Sequence, residues 1–530
     1  MERISNIKHN AINILFVCWY ALGLFITSNS FCNVENDIKK YLAIFGGLVF
    51  IVFILLTKKP RGLVRHICSP VTMHFLFITG AFLALYGLLQ YISIFPSNHP
   101  SFRITGSFEN PAGITAVLAL LFPIGVSWCI NSHRIIKIAI SSLLLLYLSA
   151  IVLSGARTAI ISIIVSSLVV LSIDTTWLKR LLHSKVLASV VIILICGVSI
   201  LLFQLKANST YGRLFIWKTS MPLIFDKIWL GHGINGFKSE YMYEQANYFQ
   251  QHEGDRFAWL ADNISHPFNE FINVAFNFGI IGLLVFMILI TIPITMALRH
   301  RGWYSSVVVA CYSSFAVLAT FSYPLQYAPV WILMTILFIL PFTRYLPKRI
   351  HVALRIIFIS FTFIAFYFLY HTVIAELNWK RIADRSLEGQ TEQMIPFYQK
   401  IHDNTILRYD GYFLYNYAAE LNFINRYDES LQILHECLKE IYDYDVALLY
   451  ADNYQNIHQN DSVIKYATLA SNMIPCRFLP YSYLLQAYNC KKDKAHAILI
   501  AKKIHNKKVK IPSPMVDEVK SKADNYLKSQ

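Results

Sequence analysis

The feature that most constrains this chain is a succession of apolar blocks of about 15 to 28 residues. A helix needs about 20 residues to cross a bilayer core, so these blocks have spanning length or nearly so. Eleven are read: Ala11–Asn29, Tyr41–Thr57, Val71–Phe95, Ala112–Ile130, Ile135–Leu153, Thr158–Ile173, Val186–Phe203, Phe271–Leu298, Ser305–Phe321, Ala328–Phe342 and Ala353–Tyr370. The first block is followed by no small-x-small cleavage site and is read as a retained span. Composition agrees with arrangement. Of 530 residues, 55% are hydrophobic and 15% charged, and the mean hydropathy is +0.46. A soluble chain of this size carries more charge.

The net charge of +16 follows from loop bias rather than from nucleic-acid binding. No basic domain with interleaved aromatics is present, so nucleic acid is excluded as a partner. One set of loops holds Arg3 and Lys8; Lys58, Lys59, Arg61 and Arg65; Arg134 and Lys137; Lys179, Arg180 and Lys185; Arg299 and Arg301; Arg344, Lys348 and Arg349. The intervening short loops hold Lys39, Lys40, Arg103 and Arg157. The first set is therefore assigned to the cytoplasm. The nine cysteines are scattered, with no CxxC and no metal-ligand spacing. No metal or cofactor is expected. Cys476 and Cys490 are able to pair in an oxidising compartment.

The expected fold is all-α: a polytopic helical membrane domain over residues 1–371, then a soluble α-helical repeat domain over 372–530. Two large polar segments fall on the non-cytoplasmic side, the loop 206–270 and the tail. The tail has helical periodicity and repeats weakly from Leu414, Leu448 and Tyr483. Tyr417, Tyr454 and Tyr488 recur near the 34-residue period of tetratricopeptide units. A plain helical bundle is the competing description.

Arginine at a membrane boundary needs pairing or hydration. Arg103 lies in SFRITGSFENPAG, Arg157 in the tight turn LSGARTAII, and Arg213 in YGRLFIWK. Guanidinium is a planar fork of donors suited to phosphate oxygens. Three converging arginines suit a diphosphate headgroup; for any one of them alone, interfacial anchoring or lipid-headgroup contact is the better explanation. Where the large loop re-enters the membrane, DNISHPFNEF brings together His266, Asn269 and Glu270. His266 has the titration range of a general base. Asn269 is suited to orienting it or a sugar hydroxyl, and Glu270 to pairing with an arginine. Alternatively, Asn269 and Glu270 simply cap a helix. GHGING, residues 231–236, lacks the context of a phosphate-binding fingerprint and reads as a turn. No acidic pair of the metal-dependent sugar-transferase type is evident.

These stretches resemble the O-antigen ligase superfamily of bacterial membrane glycosyltransferases, which includes ligases, polymerases and protein O-oligosaccharyltransferases. The resemblance runs from about Ser101 to Pro341. Its carriers are ITGSFENPAG, SGARTA, GRLFIWKTSMPLIFDKIWLGHGINGF, HPFNEF, GIIGLL and SYPL. It implies a metal-independent, inverting transfer of glycan from undecaprenyl diphosphate to a hydroxyl on lipid A core or protein, in the bacterial inner membrane with a periplasmic tail. Arg157 and Arg213 would hold the diphosphate, and His266 would be the base. Many members carry histidine directly before the asparagine; here that position is Phe268, which makes Glu270 the fallback base. A polymerase shares the same chemistry. A transporter or a noncatalytic scaffold is the alternative of another class. Membrane lipids and a protein bound by the tail complete the expected partners.

Overall fold

The computed structural model describes residues 2–57, 59–176, 207–300, 302–347 and 350–529, with backbone alone at 2–11 and 300. The described residues are helical with no strand. In chain order the first helices are α1 (Glu2–Phe25), α2 (Asp37–Leu56), α3 (Pro60–Ile67), α4 (Pro70–Tyr91), α5 (Pro111–Ile130), α6 (Arg134–Leu153) and α7 (Arg157–Asp174). Next come α8 (Ala207–Asp226), α9 (Gly236–Gln251), α10 (Glu270–His300), α11 (Ser305–Phe321), α12 (Ala328–Ile339) and α13 (Val352–Arg385).

Among the described residues, seven helices are long and apolar enough to span a membrane, and three shorter apolar helices accompany them. These ten correspond to ten of the eleven expected blocks. The remaining block, Val186–Phe203, lies outside the described residues. Two compact units emerge: Met1–Leu205 with Phe268–Phe271 and Leu284–Val373, and Lys206–Pro267 with Ile272–Leu283 and Ile374–Gln530.

In the first unit, α5 starts where Asn110 caps the helix and Pro111 occupies its first turn. Both choices suit a helix start. This helix is buried along most of its length. Small polar residues let α7 and α11 approach it closely. Ser162 and Ser314 hydroxyls meet at 2.6 Å, and Ser314 donates to Ala119 O at 3.0 Å. Such contacts hold helices together where hydrocarbon supplies no hydrophobic drive. At the far end of α7, Asp174 accepts from Ser127 and Ser306 at 2.9 and 2.8 Å. Outward faces stay apolar: Phe358, Phe361 and Phe363 on α13 are each more than half exposed. Water does not tolerate so contiguous an apolar face, whereas lipid does.

α13 does not stop at Tyr370, where its apolar block ends. No breaker follows, and the helix continues to Arg385. Its last turns bury Ala375, Trp379 and Ile382 among tail residues, and Trp379 Nε1 donates to Asn416 Oδ1 at 2.8 Å. The tail proceeds through α14 (Thr391–Asn404), α15 (Gly411–Phe423), α16 (Tyr427–Cys437), α17 (Tyr444–Asn456), α18 (Asn460–Met473), α19 (Leu479–Cys490), α20 (Lys494–Asn506) and α21 (Pro514–Lys528). Three helical hairpins, α15/α16, α17/α18 and α19/α20, share one turn. Asn425, His458 and Lys492 all adopt left-handed φ near 60° there, at intervals of 33 and 34 residues. In each turn the next amide closes back on the helix: Arg426 N to Leu421 O, Gln459 N to Tyr454 O, Asp493 N to Tyr488 O, each at 2.9 Å. This register aligns Tyr454 and Tyr488 with Leu421. Tyr417 sits one helical turn earlier on the same face, in register with Tyr450, so the tyrosine recurrence mixes two successive positions of one face. Cys476 and Cys490 are free thiols.

In the second unit the tail packs on α8, α9 and the segment that follows them. Asn235 Nδ2 donates to Glu440 Oε2 at 2.7 Å, and Gln245 Nε2 to Met473 O at 2.7 Å. Asn263 Nδ2 lies 3.0 and 3.2 Å from the carboxylates of Asp443 and Asp445.

Candidate functional site

One end of the first unit is built from loops rather than helix sides. Lys39, almost fully buried, donates to the carbonyls of Ile26, Glu35 and Ser107 at 2.8, 2.5 and 2.7 Å. Gln90, also buried, accepts from the Thr105 and Gly106 amides and donates to Pro96 O and Gly106 O. A buried polar group is tolerated when its bonds are satisfied in this way. Together the two side chains shape the loop between α4 and α5. Asn110 then joins that loop to the turn after α11, receiving a bond from Tyr327 Oη at 2.9 Å and donating to Tyr323 Oη at 3.2 Å.

Glu270, buried at the start of α10, accepts the Leu325 amide on Oε1 at 2.9 Å. Asn269, also buried, directly precedes that helix. Phe268 has left-handed φ of 54° and sets its ring edge-on to Tyr323, with centroids 5.3 Å apart. A bulky residue rarely holds this backbone conformation, and such strain concentrates at functional sites. Arg157 lies at the same end, in the first turn of α7. The exposed ends of helix N–H groups already favour an anion there, and a guanidinium adds to that field. Arg103 is exposed and stacks over Tyr91 at 5.7 Å.

Glu109, in the same loop as Arg103, was missed by the sequence reading. Burial, reinforced by the Glu35 and Asp37 charges, raises its carboxyl above the usual range, against hydrogen bonds from Asn33 and Asn36. Its context depends on the fold of the 26–36 segment, which no local pattern announces.

The second unit holds Arg213 and His266. Arg213 and Trp217 share one face of α8, four residues apart. Trp217 Nε1 donates to Pro267 O at 2.9 Å, which ties that face to the residue beside His266. His266 Nδ1 pairs with Ser265 Oγ at 2.9 Å. Burial, and then the positive charge of Lys238, lowers the imidazole to about 4. It is therefore neutral near pH 7. GHGING packs against a break in α10 at Gly279, described by four backbone hydrogen bonds: His232 N to Phe276 O, Gly233 N to Asn277 O, Ile280 N to Ile228 O and Ile281 N to Trp229 O.

Thus Arg157, Asn269 and Glu270 stand at one end of the first unit, and Arg213 and His266 share the second. Residues 142–287 match the O-antigen ligase family. The matched O-antigen ligase domain contains Arg157, Arg213, His266, Asn269 and Glu270; Arg103 precedes it. That segment is similar to the membrane enzymes of the O-antigen ligase family. No curated protein matches the chain.

Proposed function

We propose that this O-antigen ligase domain transfers a glycan from a polyprenyl diphosphate, undecaprenyl diphosphate in a bacterial inner membrane, to an acceptor hydroxyl at the periplasmic face. The observation that carries the reading is that the matched segment includes two arginines and a neutral histidine: Arg157 at the start of α7, Arg213 on α8 and His266 just before α10. The acceptor oxygen forms a bond to the anomeric carbon while the bond from that carbon to the diphosphate breaks. The departing electron pair settles on the diphosphate. Arg157 and Arg213 stabilise that charge, which is where electrostatic catalysis gains most. Arg103, stacked on Tyr91, contacts the lipid surface nearby.

The hydroxyl proton goes to His266. An imidazole held near 4 takes no proton beforehand; it accepts one as the new bond raises the acidity of the hydroxyl. Glu270 spends one oxygen on the Leu325 amide, which suits it to positioning α10, with Asn269 beside it as a hydroxyl contact. The tail hairpins, with their 33- and 34-residue turn spacing, act as a tetratricopeptide-like domain outside the cytoplasm. Such repeats bind proteins, which favours a protein acceptor or partner over lipid A core; polymerisation of the glycan is the second reading.

The test is purified protein with donor and acceptor supplied. His266→Ala should lower turnover by about a hundredfold to ten-thousandfold, the usual worth of general-base help, while donor binding persists. Wild-type turnover should show no rise between pH 5 and 7, because the imidazole is already neutral. Near-normal turnover in His266→Ala with a dead Glu270→Gln would move the base to Glu270.

A further inference from the structure

The second unit contains a cavity of about 530 Å³ that the transfer chemistry does not use. It lies between the end of α9, with the turn that follows, and the tail helices α18, α19 and α20. Its walls combine three kinds of chemistry. Trp259, Tyr481 and Tyr488 present aromatic surface, and Trp259 is 43% exposed. Gln250 and Asn472 offer amides. Lys503, Lys507 and Lys508 supply positive charge.

The charge is not balanced within the walls. Among the described lining residues the carboxylate is Glu253, and Lys503 already pairs with it at 2.5 Å. Lys507 donates to Pro475 O and lies over the Tyr481 ring at 4.5 Å and the Phe478 ring at 5.6 Å. Burial lowers its ammonium to about 8, which leaves it charged at neutral pH. One hydrogen bond and two ring faces leave donor capacity on an ammonium, which has three N–H groups.

We propose that this cavity is a binding site for an acidic sugar unit, a uronic-acid segment of the glycan that the enzyme handles. Aromatic rings match the C–H faces of pyranoses, and amides read ring hydroxyls. Lys507 and Lys508 pair with the sugar carboxylate in charge-assisted bonds. The volume falls in the range of small-ligand sites, roughly 300 to 1,000 Å³. The proposal rests on the glycan-transfer reading and gives its substrate an acidic character.

The experiment uses the full chain in nanodiscs with digalacturonate as probe, lactose as the neutral control and a tetra-aspartate peptide as the competing class, followed by saturation-transfer NMR and calorimetry. Digalacturonate should bind, and lactose about tenfold more weakly or not at all. Trp259→Ala and Lys507→Gln should each weaken digalacturonate by about tenfold, while Trp259→Phe should bind nearly as well as the parent. Trp259 is half exposed, so its variant tests the site even if Lys507→Gln proves unstable. No binding, or binding unchanged in Trp259→Ala, overturns the site. Tighter binding of tetra-aspartate, displacing digalacturonate, overturns it in favour of a peptide. Arg157→Lys separates the two readings, since it should lose transfer yet keep digalacturonate. Arginine-dependent transfer without digalacturonate binding overturns the cavity alone, and binding in a chain with no transfer activity overturns the transferase reading alone.

Discussion

Replacing Gly279 with alanine should be among the costliest single changes in the second unit. Gly279 interrupts α10 with φ 63° and ψ −165°, a region that residues with a Cβ avoid. Holding alanine there costs about 1–3 kcal/mol in backbone strain. A Cβ would also stand 2.3 Å from Trp229 O and 2.4 Å from Trp229 C. These are backbone atoms, so the Ile228–Gly233 segment of the loop must withdraw. Withdrawal breaks the four hydrogen bonds that join it to the break, at 2.7, 2.9, 2.9 and 3.4 Å. At about 1 kcal/mol net for each, the loss adds about 4 kcal/mol. The sum, about 5 to 7 kcal/mol, is comparable to the whole stability of many domains. Gly231, with φ 69° and a Cβ position 2.5 Å from Asn277 C, faces the same break from the other side. Gly212 is the control: it is helical, nothing lies within 4 Å of its Cβ position, and Gly212→Ala should gain up to about 1 kcal/mol. The assay is thermal and denaturant unfolding in detergent, with limited proteolysis around residues 228–236. A Gly279→Ala protein within about 1 kcal/mol of the parent, its loop equally protected, would refute the reasoning.

Two further substitutions test other parts of the fold. Lys39→Met removes three charge-assisted bonds worth about 1.5–3 kcal/mol each, offset by the cost of burying an ammonium; a net loss of about 3 kcal/mol and faster proteolysis of the 96–107 loop are expected in a melting and digestion series. His458→Gly relieves an exposed left-handed residue and should stabilise the tail by up to about 1 kcal/mol, read as a raised unfolding midpoint; destabilisation would count against the shared hairpin turn.

The spans were legible because apolar length is a one-dimensional property, and Ser305–Phe321 coincides with its helix to the residue. The end of α13 was not, because polar residues after Tyr370 continue a helix when its other face finds a core, as Trp379 does. The arginines and HPFNE were visible as charge and polarity at membrane edges. What shapes the loops around them was hidden: Lys39, Gln90 and Asn110 act through partners from 4 to 217 positions away. The neutrality of His266 likewise depends on burial and on Lys238. In the tail the period was readable but the register was not, since tyrosine occupies two positions a helical turn apart on one face, and the turn geometry alone aligns Tyr450 with Tyr417.

The most direct test of the central claim is the transfer rate of Arg157→Lys and Arg213→Lys proteins reconstituted with an undecaprenyl-diphosphate-linked glycan and an acceptor. Lysine keeps the charge but loses the planar fork that grips a diphosphate. Each variant should be expressed and folded like the parent, and each should lose about a hundredfold or more in rate. Full activity in both variants would contradict the account and leave these arginines as membrane anchors.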